Sequence, residues 1–121
     1  MELIKIPDAE LEVMQVIWER KKEGDVFSKV LTDYFLEKND WKRTTTLTIL
    51  GRLEKKNFLK IDRELRMNRY TPLVKRQDYL DFATKYYLEN VFSNSVKKLF
   101  AGLLDSKEIT KEELLKELKE I

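Results

Sequence analysis

Lys42 and Arg43 stand directly before three consecutive threonines, Thr44, Thr45 and Thr46. Together these side chains offer hydroxyls, methyl groups and two positive charges. A hydroxyl becomes a nucleophile only when a base activates it, and the chain has no His and no Cys for such work. The chemistry open to this cluster is hydrogen bonding and charge pairing. Threonine is also a mediocre helix former, because its branched side chain loses rotamer freedom against the preceding turn. Three in a row where a helix should begin need a reason beyond helix propensity.

The same absences remove most catalytic classes. Ser28, Ser93, Ser95 and Ser106 lack an imidazole partner, and zinc, copper and iron sites normally need imidazole or thiolate. Glu112 and Glu113 read as solvated surface in a charged tail. No GxGxxG or GxxxxGK[ST] phosphate loop occurs, and the only glycines are Gly24, Gly51 and Gly102. The sequence therefore predicts no enzyme, no metal and no cofactor.

Thr46, Ile49, Leu50 and Leu53 fall at helical spacing, so a helix is expected from Lys42 or Arg43 to Asn57, with those four facing a core. The remaining faces then carry Thr44, Leu47, Thr48, Gly51, Arg52 and Lys55. This outer surface fits a helix lying in the major groove of DNA. Thr44, Thr45 and Thr48 can approach base edges, and Leu47 can touch a thymine methyl. Arg43 can make two bonds to a guanine. Lys42, Arg52, Lys55 and Lys56 are expected on the phosphate backbone, where they set position rather than sequence choice. Gly51 costs helix stability, which close approach of DNA would explain, as would a tolerated surface glycine.

The flanking segments supply a scaffold for that helix. Pro7 and Asp8 open a first helix with Leu11, Val13, Met14, Val16, Ile17 and Trp18 on its apolar side, and Gly24 with Asp25 breaks it. Val26 fits a very short strand. Phe27, Val30, Leu31, Tyr34 and Phe35 mark a second helix, and Trp41 anchors the turn that follows it. Phe58, Leu59 and Ile61, then Tyr70, Leu73 and Val74, read as two strands around the polar loop DRELRMNR. The order predicts a winged helix-turn-helix: mainly α with a small β-hairpin, occupying residues 1–74. In the wing, Arg63, Arg66, Asn68 and Arg69 are candidates for phosphate or minor-groove contact, the alternative being that one or two of them pair with Asp62 or Glu64 as ordinary surface charges.

Residues 75–121 predict three amphipathic helices, the last announced by Thr110 with Glu113 three positions on. Tyr79, Phe82 and Tyr86, then Val96, Leu99, Phe100, Leu103 and Leu104, then Leu114, Leu115 and Leu118 form their apolar faces. So short a segment is too small to bury them all. A second copy of the chain is the expected cover, which makes this a helical dimerisation region; the alternative is that these helices fold back on the N-terminal domain.

Charge supports the same division. Residues 1–37 hold five Lys/Arg against nine Asp/Glu, net −4; residues 38–69 hold ten against four, net +6; the rest balance at nine each. A basic island in a nearly neutral chain points to an anionic partner. No apolar run reaches the roughly 18 residues a membrane span needs. No secretory signal is evident at MELIKIPDAE, so a cytoplasmic location is expected.

AELEVMQVIWER (9–20), WKRTTTLTILGRLEKKNFL (41–59) and RYTPLV (69–74) resemble the penicillinase repressor family, the BlaI/MecI/CopY group of winged-helix regulators. Glu10, Val13, Met14, Ile17 and Trp18 match the family's E-x-x-V-M-x-x-(I/L/V)-W pattern. Trp41, Thr44, Thr45, Thr48, Leu50, Arg52, Leu53, Lys55 and Lys56 match its recognition-helix pattern in order. The resemblance implies a homodimeric repressor that binds a near-palindromic double-stranded operator, dimerises through its C-terminal helices and answers to an unidentified inducing partner. Two departures narrow it. Copper-sensing members carry C-terminal cysteines, which are absent here. Proteolytically induced members are cut at an Asn-Phe bond, where this chain reads KKLFAG with Leu99-Phe100; its one Asn-Phe pair is Asn57-Phe58. The alternative reading is a winged-helix module that docks protein rather than DNA.

Overall fold

The computed structural model describes residues 2–121. Its elements run α1 (Asp8–Lys21), β1 (Val26–Phe27), α2 (Ser28–Asn39), α3 (Arg43–Lys55), β2 (Leu59–Asp62), β3 (Arg69–Pro72), α4 (Arg76–Asn90), α5 (Val96–Asp105) and α6 (Lys111–Lys119). They form two units, Met1–Leu80 and Asp81–Ile121, the division falling inside α4.

In the first unit, three helices pack with an antiparallel sheet of order β1-β3-β2. Pro7 starts α1, where its missing N–H costs nothing; Asp8 and Glu10 sit in the first turn, Arg20 and Lys21 in the last, each complementing the helix dipole. Val13, Met14, Ile17 and Trp18 are buried, while Leu11 and Val16 are only half-buried. Gly24 closes the following turn at φ +140°, a conformation that L side chains rarely adopt.

α2 buries Leu31, Thr32 and Phe35 and ends in a left-handed (αL) closure. The Trp41 N–H donates to Phe35 O at 3.2 Å and the Asp40 N–H to Leu36 O at 3.1 Å, with Asp40 left-handed at φ 55°. This sharp stop turns the chain within Asp40–Lys42. The expected anchor is in place: the Trp41 ring stacks on Phe35 with centroids 4.9 Å apart. α3 then presses Thr46, Ile49, Leu50 and Leu53 into the core. It stops two residues earlier than expected, because Asn57 takes a left-handed conformation at φ 62°.

In the sheet, Tyr70 pairs with both Val26 and Ile61 and is buried at its centre. β3 ends at Pro72, short of the expected Val74. Leu73 turns its side chain outward, its N–H still donating to Phe58 O at 2.8 Å, while Val74 stays buried. The Val74 carbonyl accepts a 2.9 Å bond from Trp18 Nε1.

The second unit has its own local logic. The Ser95 hydroxyl accepts from the Lys98 N–H and caps α5. The Thr110 hydroxyl caps α6 by accepting from the Glu113 N–H, and it also bonds the Glu113 carboxylate, both at 3.1 Å. No side chain of Asp81–Ile121 is fully buried.

Leu53 is completely buried in α3. Leu53→Ala should lower the unfolding free energy by about 2–5 kcal/mol, as expected when a core leucine leaves a cavity. Urea denaturation followed by circular dichroism measures it.

Candidate nucleic-acid interface

Burial of one α3 face fixes what the other presents. Arg43, Thr44, Thr45, Leu47 and Thr48 are exposed along its first two turns, and Arg52 and Lys55 on its last two. Lys42 precedes them, exposed and extended. No side chain caps the start of α3; the Thr45 and Thr46 N–H groups donate to Lys42 O at 2.9 and 3.3 Å, and the Arg43 and Thr44 N–H groups before them are the ones open to an acceptor. The Thr48 hydroxyl donates to Thr44 O at 2.8 Å, which leaves its oxygen able to accept. Thr46, set among the threonines in sequence, is fully buried. Between the start of α1 and this face runs an open groove of about 340 Å³, lined by Pro7, Thr44, Thr45, Thr48 and Arg52 among others.

Among the described residues, Lys42, Arg43, Arg52 and Lys55 are in no ion pair. Gly51 lies beside them, and a Cβ there would meet nothing within 4 Å. The fold itself does not need this glycine, although it lowers helix stability by about 1 kcal/mol against alanine.

Three expectations change. Lys56 is not a spare cation: its ammonium lies 2.6 Å from Glu10 Oε1, with 29 % of the Lys56 side chain exposed and 4 % of the Glu10 side chain. A carboxylate that deep inside needs a counter-charge, and Lys56 curls back to supply it. Arg63 is held by Glu54 through two bonds of 2.7 and 2.8 Å. Tyr79, grouped with the dimerisation residues, belongs to the first unit's core instead. It is buried, its ring meets Trp18 and Phe58, and its hydroxyl accepts from the Ile6 N–H at 3.1 Å.

The rest of the wing divides similarly. Arg69 bonds Asp62 at 2.8 Å and reaches Asp25 at 3.5 Å. The half-buried Asn68 gives its carbonyl to the Ser28 N–H, and Arg66 is exposed at the loop. Glu54 is a residue sequence reasoning passed over, and Glu10 entered it as part of the family pattern. Glu54 was within reach, since Leu47, Gly51 and Glu54 follow one another at helical spacing on one strip. The Arg63 hydrogen bond holds the Glu54 carboxyl below its ordinary range and raises Arg63 in turn. A depressed carboxylate stabilises the fold above its unfolded pKa, and this is lost as pH falls through the folded value. Both groups are substantially exposed, so the contribution is small.

On the second unit, Phe82, Tyr86, Leu99, Phe100, Leu104 and Leu114 are half-buried, and Val96, Leu103, Leu115 and Leu118 are exposed. Among the described residues no cluster of three or more His, Cys, Asp or Glu could hold a metal, and no helix is long and apolar enough to cross a membrane.

The penicillinase repressor family model matches residues 6–121. The chain belongs to the penicillinase repressor family. This family consists of transcriptional repressors, so the chain is not an enzyme. It is 30 % identical to the penicillinase repressor of Bacillus licheniformis over 91 % of its own length and 84 % of that protein. It is 26 % identical to the methicillin resistance regulatory protein MecI of Staphylococcus aureus, over 91 % and 87 %. An uncharacterised 16.5 kDa protein of Latilactobacillus sakei is 32 % identical over 92 % and 74 %. The solution structure of the DNA-binding domain of the repressor BlaI covers 65 % of this chain and 94 % of its own, at 38 % identity and TM-score 0.55. Monomeric Bacillus licheniformis BlaI in complex with the blaP half-operator covers 64 % and 92 %, at 36 % identity and TM-score 0.53. The first unit of this family member thus has the family's winged-helix fold.

Lys56→Ala leaves Glu10 buried without its counter-charge. It should destabilise the fold by about 1–3 kcal/mol, and adding Glu10→Gln should recover part of that loss. Urea midpoints of the single and double variants give the comparison.

Proposed function

We propose that this chain is a homodimeric, sequence-specific DNA-binding transcriptional repressor that occupies a near-palindromic operator. One observation carries the reading: the outward face of α3 gathers short hydroxyls, Leu47, Gly51 and cations without intramolecular carboxylate partners, on a repressor-family fold. Arg43, Thr44, Thr45, Leu47 and Thr48 meet base edges in the major groove. Lys42, Arg52 and Lys55 hold phosphates, and the open space at Gly51 lets the backbone come close. Arg66 and Asn68 in the wing add a flanking contact. The BlaI half-operator complex supports this reading by analogy of fold.

Dimerisation is the second half of the proposal. Apolar side chains on α4, α5 and α6 are left in contact with water by a unit that fully buries none of them, and a second copy can cover them. Two α3 helices then read half-sites about 34–36 Å apart, or a multiple of that, on DNA in the cytoplasm. Separating the copies releases the operator, because each half alone loses the linked second contact.

Arg43→Ala and Thr44→Ala should abolish preference for a selected duplex while leaving the oligomeric state intact. Lys55→Ala should weaken all duplexes alike and flatten the dependence of log K on log salt by about 0.9. Gel shifts across a salt series read both; unchanged binding in all three variants rules out this orientation of α3. Separately, Leu103→Glu with Leu115→Glu should convert the protein from dimer to monomer in sedimentation equilibrium. A wild-type protein that sediments as a monomer at high micromolar concentration would remove the dimer from the proposal.

A further inference from the structure

The loop between β2 and β3 touches the recognition helix through one ion pair. Arg63, the first residue after β2, grips the Glu54 carboxylate with both terminal nitrogens, Nη1 to Oε2 at 2.7 Å and Nη2 to Oε1 at 2.8 Å. The other contacts at the base of the loop do not reach α3: Asn68 O accepts from the Ser28 N–H at 3.0 Å and Arg69 reaches Asp25 at 3.5 Å, both beside β1. Asp62 accepts from Arg69 at 2.8 Å across the strand pair and from the Glu64 N–H at 3.0 Å. They close the hairpin but do not set its angle to α3.

We propose that Glu54 and Arg63 form a strut that fixes the wing against α3, with Arg63 a positioning residue rather than a phosphate ligand. Glu54 lies on the strip of α3 that also carries Leu47 and Gly51, at the flank of the exposed face, with a third of its side chain open to solvent. A carboxylate there opposes a polyanion unless its charge is cancelled, and Arg63 cancels it. If Arg63 swung to a phosphate, it would break two charge-assisted bonds and leave Glu54 unpaired beside the same phosphates. Keeping the pair costs neither. Arg66, exposed and in no ion pair, is then the wing cation that reaches DNA.

The inference adds a working part to the DNA-binding reading, and its test has one arm that does not depend on DNA. Two variants are used: Glu54→Gln with Arg63→Gln, and the charge-reversed pair Glu54→Arg with Arg63→Glu. Both keep the net charge of the wild type, so long-range attraction to DNA is unaltered. In the free protein, the heteronuclear NOEs of the amides of residues 64–68 should fall in the double-Gln variant and recover in the reversed pair. On a duplex that the wild-type protein enriches from a random pool, the double-Gln variant should bind roughly two- to fivefold more weakly, with an unchanged salt slope, and reversal should restore affinity. Unchanged NOEs in the double-Gln variant would overturn the strut. A salt slope shallower by about 0.9 that reversal does not recover would make Arg63 a phosphate ligand instead. Failure of the wild-type protein to enrich any duplex would sink the DNA-binding reading, while the NOE comparison would still decide the strut.

Discussion

The arrangement depends on the burial of one stripe of α3. Thr46, Ile49, Leu50 and Leu53 are sealed against the other elements of the first unit, and each large apolar side chain so buried contributes about 1.5–3 kcal/mol. A helix is a rigid cylinder on this scale. Once that stripe is held, the direction of every other side chain on it follows from the 100° step per residue. The outward display of Arg43, Thr44, Leu47, Thr48, Arg52 and Lys55 is therefore a consequence of core packing, and needs no interaction of its own to hold it there. The three threonines take different positions for the same reason: Thr46 points into the core, and Thr44 and Thr45 point out.

Around that stripe, electrostatics divides the positive charges into two groups. Lys56, Arg63 and Arg69 are bound to carboxylates of the same chain and stiffen the fold around the end of α3 and the base of the wing. Among the described residues, Lys42, Arg43, Arg52, Lys55 and Arg66 are in no such pair and remain available. The basic island of the sequence is thus part structural and part surface. Counting cations overstates the charge an anionic partner would meet.

The second unit follows a different balance. Its helices are well specified locally, with Ser95 and Thr110 capping two of them, yet they leave their apolar faces at best half-covered. Local hydrogen bonding suffices to define where these helices begin. It cannot supply the buried area that makes such helices stable together, because a segment this short has too little interior.

Much was legible in the sequence because it depends on neighbours along the chain. Periodicity marked every helix, the buried stripe of α3 and the capping of α6. Proline and asparagine set element ends, although the exact stops of α3 and β3 needed backbone geometry. What the sequence could not decide was partnership. Glu10 stood as one match to the family pattern, Lys56 and Arg63 looked like spare cations, and Tyr79 like part of the C-terminal apolar face. Each has a partner far along the chain or across an element: Glu10 with Lys56, Arg63 with Glu54, Tyr79 with Ile6, Trp18 and Phe58. Helical faces are fixed by a local repeat, so the sequence alone determined which residues point together. Which charges are already cancelled depends on distances of a few ångströms between segments that only folding brings close, and that was decided by the tertiary structure.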